Sequence, residues 1–462
     1  MLRGGMTQPS LRTESLFQLT WPIFLQQTTQ SVVFFVDFWF FSHLSDKIAA
    51  TVGQLLPIVW IGAFVIPSFA GAGVSVASQF LGARQHAQVV PTYQLNILCT
   101  VGMGIFFAVA QWSLAPQIVR WMGLPPELAG IGTVYLATMA GYLVFLGVLA
   151  GYNAVLSSRG MTQWMMYNAF TVSSLNLLLA SLFVLVFHWG LRGVVFASVT
   201  SVATAAALSV WLVHRRLGVR FRLRGAPGDM AGIVRPLFRI GIANAFEPFS
   251  YTVQQIILSA MIISLGVESM AANAYASRVQ MFQITFSLSL GLGAQILMAH
   301  WMGARRFDDV NRLYGRVVIR GMLVAGAYAG AMALFWNRTL GIFTQDPAIL
   351  RLGRTLLLIA MFYEPARAVN IIGGFALKTV GDARFPLVIA IVFIWGILPV
   401  VIAINHAWTL TIAGFWLCFA ADEILRAGIN LWRWRTGRWK SMGIARPLPG
   451  ATPAAEQRAG TA

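Results

Sequence analysis

Four ionisable side chains stand deep inside long apolar runs. They are Asp37 in the stretch 31–38, Glu247 in 244–248, and Glu364 with Arg367 in 363–367. A charge at the centre of a bilayer costs roughly 2.5–3.5 kcal/mol on insertion scales, so each needs a reason to be there. Low dielectric disfavours the charged form of a carboxylate and a nearby cation favours it. A proton and an organic cation can therefore compete for one such group, which is a minimal exchange mechanism. Glu364 and Arg367, at i and i+3, share a helix face and can pair. Glu247 meets only Asn244, Ala243, Ser250 and Tyr251 at i±3 and i±4, so it must find a partner on another helix or hold a proton. Pro248 and Pro365 follow two of the acids, and each frees a backbone carbonyl and bends its helix.

Polar companions share these segments: Gln26 to Gln30, Asn153, Asn176, Asn244, Gln280, Gln295 and Asn370. Some are expected to bond between helices and the rest to line a water-filled cleft. Asp422, Glu423 and Arg426 lie close enough on one helix to satisfy each other and read as structural. The histidines show no metal-ligand spacing. Cys99 and Cys418, far apart in apolar segments, read as small buried hydrophobes rather than a disulfide or metal pair.

The elements that must hold these residues are membrane helices. Of 462 residues 58% are hydrophobic and only 10% charged, and the mean hydropathy is +0.71. A soluble chain runs nearer a quarter charged, so a soluble enzyme is excluded. A bilayer needs about 20 apolar residues per helix, and the chain supplies about twelve such spans. The first six are 16–41, 51–80, 91–115, 130–154, 163–187 and 191–214. The second six are 236–265, 272–300, 316–335, 350–375, 385–404 and 408–432. Long two-residue alternation is missing, so the expected fold is an all-α polytopic membrane protein rather than a barrel.

Lys and Arg number 33 against 15 Asp and Glu, a net charge of +18. The basic residues lie between apolar runs rather than on one polar module, so they mark topology and not nucleic acid. They gather at the two ends, in the linker 215–235 and beside the even-numbered loops. The positive-inside rule then places the segment 1–15, the linker and the tail 433–462 in the cytoplasm. No signal-peptide pattern accompanies Arg3 and Arg12, and the Pro, Ala and Gly-rich tail is expected to be disordered.

Overlaying the halves reveals a repeat. Gly82-Ala83-Arg84 recurs as Gly303-Ala304-Arg305, and Leu156 with Gly160 recurs as Leu377 with Gly381, both 221 residues on. Two lobes, 16–214 and 236–432, would each hold six helices and lie the same way up, with a substrate path between them.

Assembled, the sequence resembles the multidrug and toxic compound extrusion (MATE) family over residues 16–432. The resemblance rests on Leu19-Thr20-Trp21-Pro22, Val36-Asp37, the stretch from Gly71-Ala72-Gly73 to Gly82-Ala83-Arg84, Ile240-Gly241-Ile242 before Glu247, and the stretch 377–382. It implies that Asp37 is the first-span acid of a coupling machinery, Glu247 the seventh-span acid of the cation-coupled bacterial branch, and Tyr363 that branch's tenth-span tyrosine. Three positions depart from the family pattern. Arg367 stands where that branch has an aspartate, with Glu364 one turn earlier as the substitute acid. Ala180 stands where an acid would accompany Asn176, and Ala243 replaces a usual proline.

The sequence thus reads as a monomeric inner-membrane antiporter that exports organic cations or amphiphiles in exchange for H+ or Na+, with no cofactor. Its candidate coupling and binding residues are Asp37, Glu247, Glu364, Arg367, Tyr363, Asn153, Asn176 and Asn244. A lipid-linked oligosaccharide or phospholipid flippase is the alternative, for which Arg278 and Arg367 would supply a cationic cavity. An intramembrane enzyme lacks the loop or catalytic cluster it would need.

Overall fold

The computed structural model describes residues 15–215, 217–219, 230–263 and 265–445. The N-terminal segment before Ser15, the linker residues Arg216, Arg220, Arg222 and Arg224, and the tail from Arg446, with its expected disorder, lie outside the described residues.

The described residues are helical apart from short turns between the helices. The first half forms α1 (Ser15–Leu44), α2 (Asp46–Gly82), α3 (His86–Trp121), α4 (Pro126–Ser158), α5 (Thr162–Ser181) and α6 (Gly190–Arg215). The second half forms α7 (Ala231–Ile263), α8 (Val267–Gly303), α9 (Phe307–Leu334), the short α10 (Trp336–Gly341), α11 (Pro347–Thr379), α12 (Arg384–Trp408) and α13 (Ile412–Arg435). Side chains cap several starts: the Ser45 oxygen accepts from Lys47 N–H at 3.2 Å, and Asp346 accepts from Ala348 N–H at 2.8 Å.

Among the described residues, nine helices are long and apolar enough to cross a membrane. The three remaining long helices are α1, α7 and α13. They carry Asp37 after the run Gln26 to Gln30, Glu247 with Asn244, and Asp422 with Glu423 and Arg426. Polar side chains that the lobes use internally are what dilute their apolarity.

Helix ends differ from the apolar spans in an instructive way. α9 starts at Phe307, well before residue 316, because Asp308 and Asp309 in its first turn favour the positive end of the helix dipole. Hydropathy marks the lipid crossing and not the helix terminus. The linker reading of 215–235 is shortened, since α7 begins at Ala231 and makes Arg235 helical. The tail reading of 433–462 is corrected for its first part. Beyond α13 a 3-10 turn, Arg438–Ser441, buries Trp439. That ring stacks on Trp434 at 4.6 Å, and Trp434 stacks on Tyr314 at 4.0 Å.

The repeat seen in the sequence has a physical counterpart. Arg84 and Arg305 both adopt φ 57° as they end α2 and α8, and Gly160 and Gly381 are both at positive φ. α2 and α8 cross where a Cβ on Gly82 would lie 1.9 Å from the His300 carbonyl oxygen. Reciprocally, a Cβ on Gly303 would lie 1.9 Å from the Gln79 carbonyl oxygen. Only glycine permits this backbone contact, which closes one end of the seam between the lobes.

Side chains fasten the same seam. Gln27 donates to Ser289 at 2.8 Å, and Gln295 donates to the Gly71 carbonyl at 2.9 Å and to Ser75 at 2.8 Å. Gln79 of α2 donates to the Thr379 carbonyl of α11 at 2.6 Å and accepts from Ile444 N–H at 2.7 Å. One amide thus ties both lobes and the strap beyond α13. Gln79→Leu should weaken this closed arrangement by about 2 kcal/mol, because two hydrogen bonds are lost and their partners stay buried. Maleimide labelling of Ser78→Cys, in a background lacking Cys99 and Cys418, should speed up by roughly tenfold or more. An unchanged rate would contradict the role of Gln79.

Candidate coupling and substrate site

In the N-terminal lobe α1 turns Asp37 inward, towards α5 and α6. Asn176 Nδ2 donates to one carboxylate oxygen at 3.0 Å and Ser198 Oγ to the other at 2.7 Å, with Asn176 also donating to Ser198 at 3.0 Å. Asp37 is 8% exposed, and no cation pairs with it among the described residues. Beside it lies a void of about 20 Å³ walled by Phe34, Phe41, Val52, Tyr135, Met139 and Ser198. That is room for about one water. Neutral donors thus hold a buried carboxylate next to a water-sized space.

In the C-terminal lobe the acids and arginines form one network across α8, α11 and α13. Arg367 donates to Glu364 at 2.8 Å, to Glu423 at 3.3 Å and to Gln280 at 3.4 Å. Tyr363 donates to the same Gln280 oxygen at 2.9 Å, and its ring lies 4.8 Å below the Arg367 guanidinium. Asn370 donates to Glu423 at 2.8 Å, Asn430 donates to Asn370 at 2.9 Å, and Arg426 pairs with Asp422 and Glu423. Three carboxylates therefore face two guanidiniums. One oxygen each of Glu364 and Asp422 is buried without a hydrogen-bond partner, and the set is one positive charge short of balance.

Two readings of the sequence change here. The trio Asp422, Glu423 and Arg426 does not satisfy itself in isolation, because Glu423 also accepts from Arg367 and Asn370. Glu423 is thus a member of the network that spacing alone did not reveal. The partner Glu247 required is Lys378, whose Nζ lies 2.9 Å from Glu247 Oε2 and 5.0 Å from the Phe375 ring. Lys378, one of the basic residues that lie between apolar runs, has a side chain only 9% exposed. It falls two heptads after Glu364 on α11, which puts it near the same helix face and was a usable signal.

The polar candidates do not form a single pocket. Asn153 accepts from Asn168 at 3.0 Å, and Asn168 also donates to Ser209 at 2.7 Å, so Asn168 joins α5 to Asn153 of α4 and Ser209 of α6. Asn244 sits at the α2–α7 seam facing Gly71, its buried carbonyl oxygen without a partner. Asp37 with Asn176 forms one charged centre in the N-terminal lobe, while Glu247 with Lys378 lies within electrostatic reach of Arg426 and so borders the network of Glu364, Arg367 and Tyr363.

Comparison with known proteins matches this architecture. The chain is 28% identical over 454 residues to the uncharacterized transporter YisQ of Bacillus subtilis, covering 96% of this chain and 98% of that one. It is 22% identical to the probable multidrug resistance protein NorM of Thermotoga maritima, over 94% of this chain and 95% of that one. A MOP superfamily transporter from Pyrococcus furiosus shares the fold with a TM-score of 0.84 at 18% identity, covering 93% of this chain and 96% of its own. The MatE family profile matches residues 22–182 and again 244–404, two copies whose starts repeat the internal offset to within one residue. With both lobes matched, the chain belongs to the MatE family of membrane transporters.

Proposed function

We propose that the protein is a secondary antiporter of a bacterial inner membrane, with both termini cytoplasmic, exporting organic cations or amphiphiles against H+ or Na+. The observation that carries this reading is Asp37: a buried carboxylate held only by the neutral donors Asn176 and Ser198, beside a water-sized void. Such a group can take a proton or a monovalent cation without breaking an ion pair. The charge deficit around Glu364, Glu423 and Asp422 gives the second lobe the same preference for positive charge. The relationship to a probable multidrug resistance protein supports the cargo class. Rocking of the lobes that breaks and remakes the α2–α8 contact would alternate access.

Efflux of a cationic dye from proteoliposomes under an imposed H+ or Na+ gradient tests the proposal. Asp37→Asn should reduce gradient-driven efflux to the level of protein-free vesicles, since the amide cannot exchange a charge. Glu247→Gln should impair transport less, because Glu247 is already neutralised by Lys378. Dye efflux that survives in Asp37→Asn would refute the assignment.

Arg278 favours a second reading. It is exposed on α8, 5.8 Å from the Phe35 ring across the interlobe seam, and has no ion pair among the described residues. A flippase handling an anionic headgroup could use it. That reading predicts lipid scrambling or flipping in the same vesicles and no dye movement under either gradient.

A further inference from the structure

A cavity of about 690 Å³ opens at the end of the molecule that α2 and α8 close. Its walls come from three places: Gln85 and Gln88 of the N-terminal lobe, the first turns of α7 and α12, and the strap residues Met442 to Ile444. Arg235, Arg239 and Arg384 line it. Their charges crowd one another, with Arg235 and Arg384 both close enough to repel Arg239. The one acid in the wall among the described residues, Asp382, pairs with Arg433 at 2.7 Å and lies close enough to Arg239 to attract it. Among the described residues none of the three lining arginines has an ion pair, and the buried Nε of Arg239 has no hydrogen-bond partner. Among the described residues, with Arg433 and Asp382 included, the positive charges exceed the negative by three.

Three helices begin at this cavity: α3 just after Gln85, α7 at Ala231 and α12 at Arg384. Each brings the positive end of its dipole, and neither Gln85 nor Ala383 caps its helix with a side chain. Gly381, at φ 103°, lets the strap carbonyl of Met442 and the Arg239 guanidinium both approach the backbone. Like-charged arginines converging beside helix starts favour the binding of an anion.

We propose that this cavity binds a phosphate-bearing anion, with Arg235, Arg239 and Arg384 as its counter-charges. Because its walls belong to both lobes and to the strap, the bound anion stabilises the closed end. Basic pockets between helices at a membrane surface hold anionic lipid headgroups in this manner, and a soluble phosphate offers the same chemistry.

The test uses the full-length protein in phosphatidylcholine nanodiscs, with either phosphatidylglycerol or inorganic phosphate added. Native mass spectrometry and the thermal midpoint are the readouts. Retention of phosphatidylglycerol with a raised midpoint supports the site and names a lipid headgroup as the source. A midpoint raised by inorganic phosphate alone supports the site and names a soluble anion. In Arg239→Gln/Arg384→Gln the apparent affinity should fall by about tenfold or more. Gln88→Glu, which sets an acid opposite the arginines, should weaken it in the same direction without removing any cation. No response to either anion in the wild type, or a response in the variants equal to that of the wild type, overturns the proposal.

Discussion

Arg367→Gln is expected to destabilise the C-terminal lobe by about 3–5 kcal/mol, the usual cost of leaving buried ions without their partner. Arg367 is the one residue joining Glu364 on its own helix to Glu423 on α13 and Gln280 on α8. Removing it leaves three carboxylates facing the single guanidinium of Arg426. A marked fall in the thermal midpoint of the purified protein is the expected reading. Arg367→Lys should recover only part of the loss, since an ammonium cannot span two carboxylates and an amide with the fork of a guanidinium. Arg367→Gln/Glu364→Gln should recover more than Arg367→Gln alone, because it removes one of the stranded charges. The double-mutant cycle then reports the coupling directly. If Arg367→Gln leaves the midpoint unchanged, the network does not hold the lobe together.

Gly303→Val acts at the other critical place, the crossing of α2 and α8. The added Cβ would meet the Gln79 carbonyl oxygen at 1.9 Å, and no rotamer change can move a backbone atom out of the way. The helices must separate, at a cost of about 1–3 kcal/mol or more to the closed arrangement. That corresponds to roughly a ten- to hundredfold shift in the balance between closed and open forms. Hydrogen exchange in the strap, residues 438–445, should accelerate, and gradient-driven efflux should fall while dye binding persists. Gly330→Val on α9, where a Cβ meets nothing within 4 Å, is the control that should leave both unchanged. Equal behaviour of the two variants would remove the crossing from the mechanism.

The helical architecture was legible because lipid imposes a length on apolar segments, and the two copies of Gly-Ala-Arg announced the repeat before any geometry was known. The pairing of Glu364 with Arg367 was also legible, being a matter of i and i+3 on one helix. Contacts between helices were not. Glu247 and Lys378 are 131 residues apart, and Arg367 and Glu423 are 56 apart. Spacing tells which face a residue occupies and says nothing of which helix that face meets. The same limit explains why Asn153 and Asn176 read alike in sequence, although one only accepts a bond from Asn168 and the other holds Asp37.

The bond between Gln79 and Ile444 spans 365 residues of chain. At synthesis rates of about 5–20 residues per second, Gln79 is made roughly 20–70 s before its partner exists. The N-terminal lobe must therefore enter the membrane and persist as an open-ended bundle through that interval, its α2 amide still waiting. This last fastening of the seam is a late event in biogenesis, available only to a chain translated as far as the strap. A product that stops at the end of α13 would contain every membrane span and still lack this fastening, so its lobes would part more readily and expose the seam to proteolysis.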